Sequence, residues 1–272
     1  SAKIMKISPV DLRFKNLINS MDMPYKTALG HTYDSGDFKK NLEICLEKSD
    51  YYNFESRKFS SKKNQKLRGV GVSTYIEACG GGGTEYATVN VGKNGNIEVK
   101  IGTQSNGQGH ETSYSQIVSE ILDIDIEQVD IIQGNSMEIP NGSGTAGSRS
   151  TPVGGSALYN ATKAFFKKSE KLLANHLSAE IKEINFAKGI FEYKKKSFSL
   201  SDIAKLAENN KLDLKTEAEW TPPAGTYTYP NGTHICELEI NKDTGKVNII
   251  KYNVVDDFGK VVNPLLLEGQ VH

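Results

Sequence analysis

The glycines of this chain cluster where strand-like segments pass into helix-like segments, and this placement limits the folds open to it. Apolar residues with a period of two occupy residues 97–101, a glycine-rich stretch covers 102–109, and a helical pattern runs from 111 to 122. A second strand pattern, 129–132, leads through another glycine-rich stretch into a long helix at about 154–179. Alternating periods of this kind predict a mixed α/β fold with loops at strand ends.

Both glycine-rich loops have the chemistry of an anion site. The first reads from Gly102 to Glu111 and the second from Pro140 to Ser150. Helix starts carry unpaired backbone N–H groups, glycine lets the backbone approach a ligand closely, and successive amides form nests for anions. Tight turns that serve only the fold remain the alternative interpretation. Neither loop has the spacing of a Walker A motif.

The remaining elements are predicted from capping residues and apolar spacing. Ser8-Pro9-Val10-Asp11 begins a helix, and Asp37 begins a second one with Leu42, Cys45 and Leu46 on one face. Residues 60–66 are rich in Ser, Lys, Asn and Gln and are interpreted as a linker. The predicted organisation is a helical segment and linker at 1–66 followed by part of an α/β domain at 67–272. Further strands are predicted at 70–76, 86–91, 235–240 and 247–255, and a helix capped by Ser199 and Asp202.

Charge and cysteine usage narrow the class of partner and compartment. The 272 residues include 33 basic and 33 acidic side chains, so the net charge is zero and neither nucleic acid nor a membrane surface is expected as a partner. Three scattered cysteines without a CxxC pair indicate reduced thiols, a cytoplasmic location and no iron–sulfur or zinc ligand set. Because the chain begins with Ser1-Ala2 and not with Met, it is expected to come from a longer protein.

Several single motifs favour structural roles. His110-Glu111 begins like a zinc-protease motif, but Tyr114 stands where the second histidine belongs. Asp256-Asp257 is interpreted as a turn that hydrogen-bonds its own backbone, and residues 194–196 as a hairpin tip. No metal ligands are predicted within the chain.

Taken together, the motifs resemble the molybdenum-binding large subunit of the xanthine dehydrogenase/aldehyde oxidase/carbon monoxide dehydrogenase family. The resemblance covers nearly the whole chain in order. The segments that carry it are 9–16, 68–71, 75–77, 102–103, 107–112, 116–118, 144–145, 147–150, 154–155, 229–232, 254–257, Gly259, 263–264 and 268–272.

The resemblance implies a molybdopterin cofactor, often present as the cytosine dinucleotide in bacteria. It places Gly107, Gln108 and Gly109 against that cofactor. It also implies cofactor contacts from four residues of the second glycine-rich loop and from one later residue, namely Gly147, Ser148, Arg149, Ser150 and Gln270. Members of the family hydroxylate a small substrate (a purine, an aldehyde or carbon monoxide) with oxygen from water. Their electrons leave through iron–sulfur and FAD subunits or domains.

The family's catalytic glutamate is expected beyond His272, so no catalytic residue is assigned within the chain. The sequence is therefore interpreted as a fragment of a molybdenum hydroxylase, inactive and without cofactor on its own. The alternatives are a non-catalytic α/β module that binds another phosphorylated ligand through the same loops, and a structural protein in which the loops are only turns.

Overall fold

The computed structural model describes residues 1–272 and contains eight α-helices and twelve strands. The helices are α1 (Ala2–Met5), α2 (Pro9–Asn16), α3 (Phe38–Lys48), α4 (Phe54–Lys63), α5 (His110–Leu122), α6 (Gly155–Leu177), α7 (Leu200–Asn209) and α8 (Pro264–Val271). The strands are β1 (Tyr25–Lys26), β2 (Thr32–Tyr33), β3 (Lys66–Ile76), β4 (Glu85–Val91), β5 (Ile97–Ile101), β6 (Val129–Ile132), β7 (Asn185–Ala187), β8 (Ile190–Tyr193), β9 (Lys196–Ser199), β10 (Thr216–Trp220), β11 (Asn231–Asn241) and β12 (Val247–Asp257). The mixed α and β class is as predicted.

The chain folds into two compact units. Unit 1 comprises residues 1–78 and 227–260, and unit 2 comprises residues 79–226 and 261–272. In unit 1, β12, β11 and β3 form an antiparallel sheet in that order, and α2 and α3 supply the apolar residues that cover one face. Leu42 and Cys45 of α3 are completely buried in this small core. Unit 1 is thus a three-stranded sheet with helices packed on it.

Unit 2 is built on a four-stranded sheet in the order β10-β4-β5-β6. The β4–β5 hairpin closes at residues 92–96, where Gly95 adopts a φ of +91°. Strand β5 alternates buried and half-buried side chains, as its period of two predicts. The strands pack with α5, α6 and α7 around a core that includes the fully buried Phe165. A separate small sheet, β7-β8-β9, has its hairpin tip at 194–195, in agreement with the prediction.

Capping chemistry explains where several predicted helices begin. Ser8 accepts a hydrogen bond from the Asp11 amide at 2.9 Å, and Asp37 accepts one from the Lys40 amide at 3.2 Å. Ser199 and Asp202, the predicted capping residues, form a reciprocal capping box at the start of α7. The helices predicted at these three positions are confirmed.

The predicted linker at 60–66 is wrong. Helix α4 continues to Lys63, and β3 begins at Lys66. Ser61 is buried and its hydroxyl donates to Glu239 at 2.6 Å, so this polar stretch is packed by hydrogen bonding and not by an apolar face. The division of the chain at residue 66 into two segments stays a prediction. None of the helices combines the length and apolar character needed to cross a lipid bilayer.

Candidate cofactor site

Two glycine-rich loops leave the same edge of the unit 2 sheet. Strands β5 and β6 pair in parallel, with Ile97 opposite Val129 and Lys100 opposite Ile132. Because the carboxyl ends of parallel strands share one edge, the loops that follow them meet there. We call residues 102–109 loop A and residues 133–149 loop B. The carboxyl edge of parallel strands is a common position for ligand sites in α/β sheets.

Backbone contacts join the two loops. The Gln104 amide donates to Thr145 Oγ1 at 3.0 Å, and this hydroxyl donates to the Gln104 carbonyl at 2.7 Å. Gly142 lies so close to Gly102 that a Cβ on Gly142 would stand 2.5 Å from the Gly102 Cα. A side chain would not fit there, so these two glycines answer a steric requirement.

A buried tyrosine links both loops from below. The Tyr114 hydroxyl lies 2.7 Å from Thr103 Oγ1 and donates to the Ser150 carbonyl at 3.1 Å. Burial raises the pKa of Tyr114 to about 12, and the phenol therefore remains a donor at neutral pH. One side chain of α5 thus holds the end of β5 and the start of the helical turn after loop B.

The predicted residues of loop A present open backbone and an available amide. Gly107 is exposed, has a φ of +105° and would leave a Cβ without neighbours within 4 Å. Gln108 Oε1 accepts a hydrogen bond from the Asn106 amide at 2.5 Å, while the Gln108 NH2 group makes no bond within the chain. Gly109 precedes α5, whose first backbone bond runs from Ser113 to Gly109. The earlier N–H groups of this helix are consequently open to a ligand.

Loop B presents a similar set of donors. Gly147 and Ser148 are exposed and have φ values of +54° and +53°, and Arg149 follows in the right-handed helical region. Such a change of hand makes successive N–H groups converge, which is the geometry of an anion nest. Ser150 is buried and starts a π-helical turn at Ser150–Gly154 that leads into α6.

The Arg149 side chain does not supply a free positive charge beside this nest. It is only 4% exposed and forms an ion pair with Glu85, whose side chain is completely buried. Its guanidinium also donates to the carbonyls of Gly144 at 2.7 Å and Thr84 at 3.2 Å. The charge is neutralised inside unit 2, and the Arg149 amide itself donates to the Ala146 carbonyl at 3.2 Å, so Arg149 offers a ligand neither a free guanidinium nor a free N–H group.

Gln270, the last predicted contact, lies on α8 and is exposed. Helix α8 is fixed beside α5, because Asn263 donates to Gln116 at 2.9 Å and Leu266 packs against Gly109. A Cβ on Gly109 would stand 2.6 Å from a methyl of Leu266. The structure therefore brings the helix that carries Gln270 to the end of loop A.

The residues present fit an anionic ligand with many hydrogen-bond acceptors. The donors are open amides of both loops, the Gln108 NH2 group and the Ser148 hydroxyl. His110, at the start of α5, is buried, and burial lowers its pKa below the ordinary value despite the neighbouring Glu111. Its Nδ1 has no hydrogen-bond partner within the chain. An unsatisfied buried polar atom beside loop A is consistent with a ligand-binding function there.

Comparison with known proteins identifies the family to which this chain belongs. The profile of the molybdopterin cofactor-binding domain matches residues 44–272. The chain belongs to the molybdopterin cofactor-binding domain family. The resemblance drawn from the sequence motifs is therefore confirmed, as is the cofactor class that it implied.

Individual relatives agree with this family. The carbon monoxide dehydrogenase large chain of Hydrogenophaga pseudoflava is 29% identical over 299 residues, covering 100% of this chain and 36% of that protein. The 6-hydroxypseudooxynicotine dehydrogenase complex subunit gamma of Paenarthrobacter nicotinovorans is 30% identical, covering 97% of this chain and 35% of that protein. The chain thus spans about a third of the length of the relatives it matches.

Solved structures show the same fold. A reconstituted CO dehydrogenase from Oligotropha carboxidovorans superposes with a TM-score of 0.86 at 29% identity, over 99% of this chain and 36% of that one. Quinoline 2-oxidoreductase from Pseudomonas putida 86 gives a TM-score of 0.87 at 24% identity, over 99% and 37%. The second comparison supports the fold alone.

Sequence reasoning missed the residues that support the two loops. Tyr114 was considered only as the residue that replaces a second zinc ligand, and the glycine segment 80–83 was given no functional role. Glu85 was not considered, although a carboxylate at the head of the apolar strand β4 is itself a signal that a buried charge needs a partner. The Gly80 amide donates to the Gly147 carbonyl at 3.3 Å, so this third glycine segment also contacts loop B.

Proposed function

We propose that unit 2 holds the molybdopterin cofactor through loop A and loop B, and that the chain forms part of a molybdenum hydroxylase large subunit. The observation that carries this proposal is the meeting of two open-amide loops at one sheet edge, in a chain of the molybdopterin cofactor-binding domain family. The proposed contacts are Gly107, Gln108, Gly109, Gly147, Ser148, Arg149, Ser150 and Gln270.

Each group has a chemical task that suits it. The N–H groups of residues 107–110 and of Gly147 and Ser148 bind phosphate or carbonyl oxygens without adding charge. The Gln108 amide, which can donate and accept in one plane, recognises a polar edge of the cofactor. Ser148 adds a hydroxyl, while Arg149, whose amide donates to the Ala146 carbonyl at 3.2 Å, contributes by fixing the backbone of loop B. When bound, the molybdenum centre supplies the two-electron redox chemistry of hydroxylation.

The activity of the full-length protein is proposed from the same family. We propose oxidative hydroxylation of a small molecule with oxygen from water, using a catalytic glutamate encoded after His272. Relatives are named as carbon monoxide dehydrogenase, nicotine 6-hydroxylase and xanthine dehydrogenase, and all three names denote small substrates. Iron–sulfur and FAD subunits or domains are the proposed electron partners, since a related subunit is named as part of a complex.

Gln108→Ala tests the cofactor assignment. In the protein expressed from its complete gene with molybdenum supplied, we expect this variant to lower cofactor affinity about tenfold, because a planar hydrogen-bonding contact is lost. Molybdenum analysis and pterin release, each per mole of protein, measure the effect. The matched control is Gln65→Ala, an exposed position in unit 1, which we expect to keep the wild-type content.

Two results would contradict the proposal in different ways. Equal cofactor content in Gln108→Ala and wild type would remove Gln108 from the site. Wild-type protein from the complete gene without molybdenum or pterin would favour the non-catalytic module that binds another phosphorylated ligand.

A further inference from the structure

Glu85 is a fully buried carboxylate whose two oxygens both have partners at the base of the loops. It is the first residue of β4, and its side chain has no exposed surface. Oε1 accepts the Tyr86 amide at 3.1 Å, while Oε2 accepts the Ser143 amide at 3.4 Å and pairs with Arg149. Burying an unpaired charge has a high cost in free energy. The Glu85 carboxylate can therefore be buried here only because it makes these contacts.

Space for this carboxylate comes from Gly102 of loop A, which also packs closely against Gly142 of loop B. A Cβ on Gly102 would collide with Glu85 Oε1 and with the backbone of Gly142. Neither glycine has a positive φ, so the requirement is for room and not for an unusual backbone conformation. The glycines at the base of loops A and B thus make room for Glu85 and for each other.

The ion pair is tied to the backbone of loop B at several points. Arg149 donates to the Gly144 carbonyl at 2.7 Å and to the Thr84 carbonyl at 3.2 Å. The Ser143 hydroxyl donates to the same Thr84 carbonyl at 2.7 Å. Between these fixed ends lie Gly147 and Ser148, the exposed residues with positive φ.

We infer that the Glu85–Arg149 pair is a buried brace that sets the backbone of residues 143–149 for the cofactor, which makes Glu85 a positioning residue of the site. The inference rests on the proposed function. A guanidinium has a fixed fork of donors, and here the fork bonds one carboxylate and two carbonyls at once. Because Glu85 neutralises the charge of Arg149, the loop presents neutral amides to its ligand in a fixed arrangement.

Glu85→Gln is the direct test, in the protein expressed from its complete gene. The amide keeps the shape but leaves the buried Arg149 charge unpaired. In cofactor-free protein we expect the amide hydrogens of residues 143–154 to exchange about tenfold faster, since local opening becomes easier. In cofactor-supplied protein we expect an affinity about tenfold lower, a loss typical of supporting residues at metal sites.

Three further variants separate positioning from general destabilisation. Glu237→Gln breaks a comparable buried carboxylate pairing in unit 1, where Glu237 bonds Arg57 and Arg68. We expect it to lower stability while leaving exchange at 143–154 and cofactor content unchanged. Arg149→Lys keeps the charge without the fork and should fall between wild type and Glu85→Gln. The double variant Glu85→Gln/Arg149→Gln removes both charges and should regain stability but not loop protection.

The outcomes are distinct. Unchanged exchange and cofactor content in Glu85→Gln, with loaded wild type, would overturn the brace alone. Full cofactor content in the double variant would also overturn it, because charge balance and not positioning would then explain the pair. Wild-type protein without molybdenum or pterin would overturn the proposed function and the inference together. Faster exchange and weaker cofactor binding in Glu85→Gln, with both unchanged in Glu237→Gln, supports the brace.

Discussion

Ser148 holds a backbone conformation that a side chain disfavours. Its φ is +53°, in the left-handed region, which is unfavourable by about 1–2 kcal/mol for residues other than glycine. Gly147, directly before it, is also left-handed but is not strained, because glycine has no Cβ. Strain of this kind persists where the surroundings fix the backbone, as the contacts of loop B do here.

Ser148→Gly should therefore stabilise the protein. The free energy gained by relieving the left-handed strain exceeds the entropic cost of the added flexibility of the unfolded chain. We therefore expect the free energy of unfolding to rise by about 0.5–1 kcal/mol. Chemical denaturation of the cofactor-free protein measures this. The matched control is Ser105→Gly in loop A, where φ is not positive and the substitution should only destabilise. Equal effects of the two substitutions would show that Ser148 carries no strain.

Arg149 shows where residue-level prediction from sequence stops. The glycine pattern predicted the loop, its position after a strand and its open amides. The partner of Arg149 stands 64 residues earlier in the chain, and no local pattern connects the two. Only the pairing of β4 with β5, which brings Glu85 beside Gly102, reveals that the arginine is neutralised.

At the scale of elements, α4 is held to its sheet by charges. Glu237 of β11 bonds Arg57 of α4 at 2.9 Å and Arg68 of β3 at 2.6 Å. Glu239 bonds Lys66 at 2.8 Å and Ser61 at 2.6 Å. Apolar periodicity could not predict this helix, because its contacts are polar and reach residues more than 170 positions away. Helices α2 and α3, by contrast, were predictable because they have apolar faces and side-chain caps.

This cluster gives unit 1 a defined response to acid. Burial raises the pKa of Glu237, but hydrogen bonds from Arg57 and Arg68 outweigh it, and the net direction is downward. Hydrogen bonds from Lys66 and Ser61 lower the pKa of Glu239. Because the folded-state values lie below those of the unfolded chain, the contribution is complete above about pH 4.3 and disappears as the pH falls through the folded values.

Glu237→Gln should accordingly cost stability at neutral pH and matter less in acid. We expect a loss of about 2 kcal/mol at pH 7, less than the usual cost of breaking a buried pair because both arginines keep a second carboxylate. The difference from wild type should shrink as the pH falls below about 4.3 and through the lower folded-state pKa of Glu237. Urea denaturation across this pH range tests it, with the exposed Glu43→Gln as the control. A difference that grows in acid would show that the sign is wrong.

At the scale of the molecule, the proposed cofactor residues all belong to unit 2. Loop A and loop B lie within residues 79–226, and Gln270 lies within residues 261–272, which rejoin this unit at the end of the chain. The order of motifs along the sequence could not show this, because the second part of unit 1, residues 227–260, separates them. Spatial grouping thus turns eight scattered positions into residues of one compact unit.

Cofactor binding should consequently stabilise unit 2 selectively. A ligand that binds only the folded state at about 100 times its Kd adds about 2.7 kcal/mol, or roughly a hundredfold slower exchange of amides that open only on unfolding. In the protein from the complete gene, we expect this slowing in β4 and β5 on cofactor loading, with much smaller changes in β3 and β11, which contain no proposed contact. Hydrogen exchange with mass spectrometry, comparing loaded and cofactor-free protein, measures both. Slowing confined to β3 and β11 would place the cofactor at a different site and remove loops A and B from the assignment.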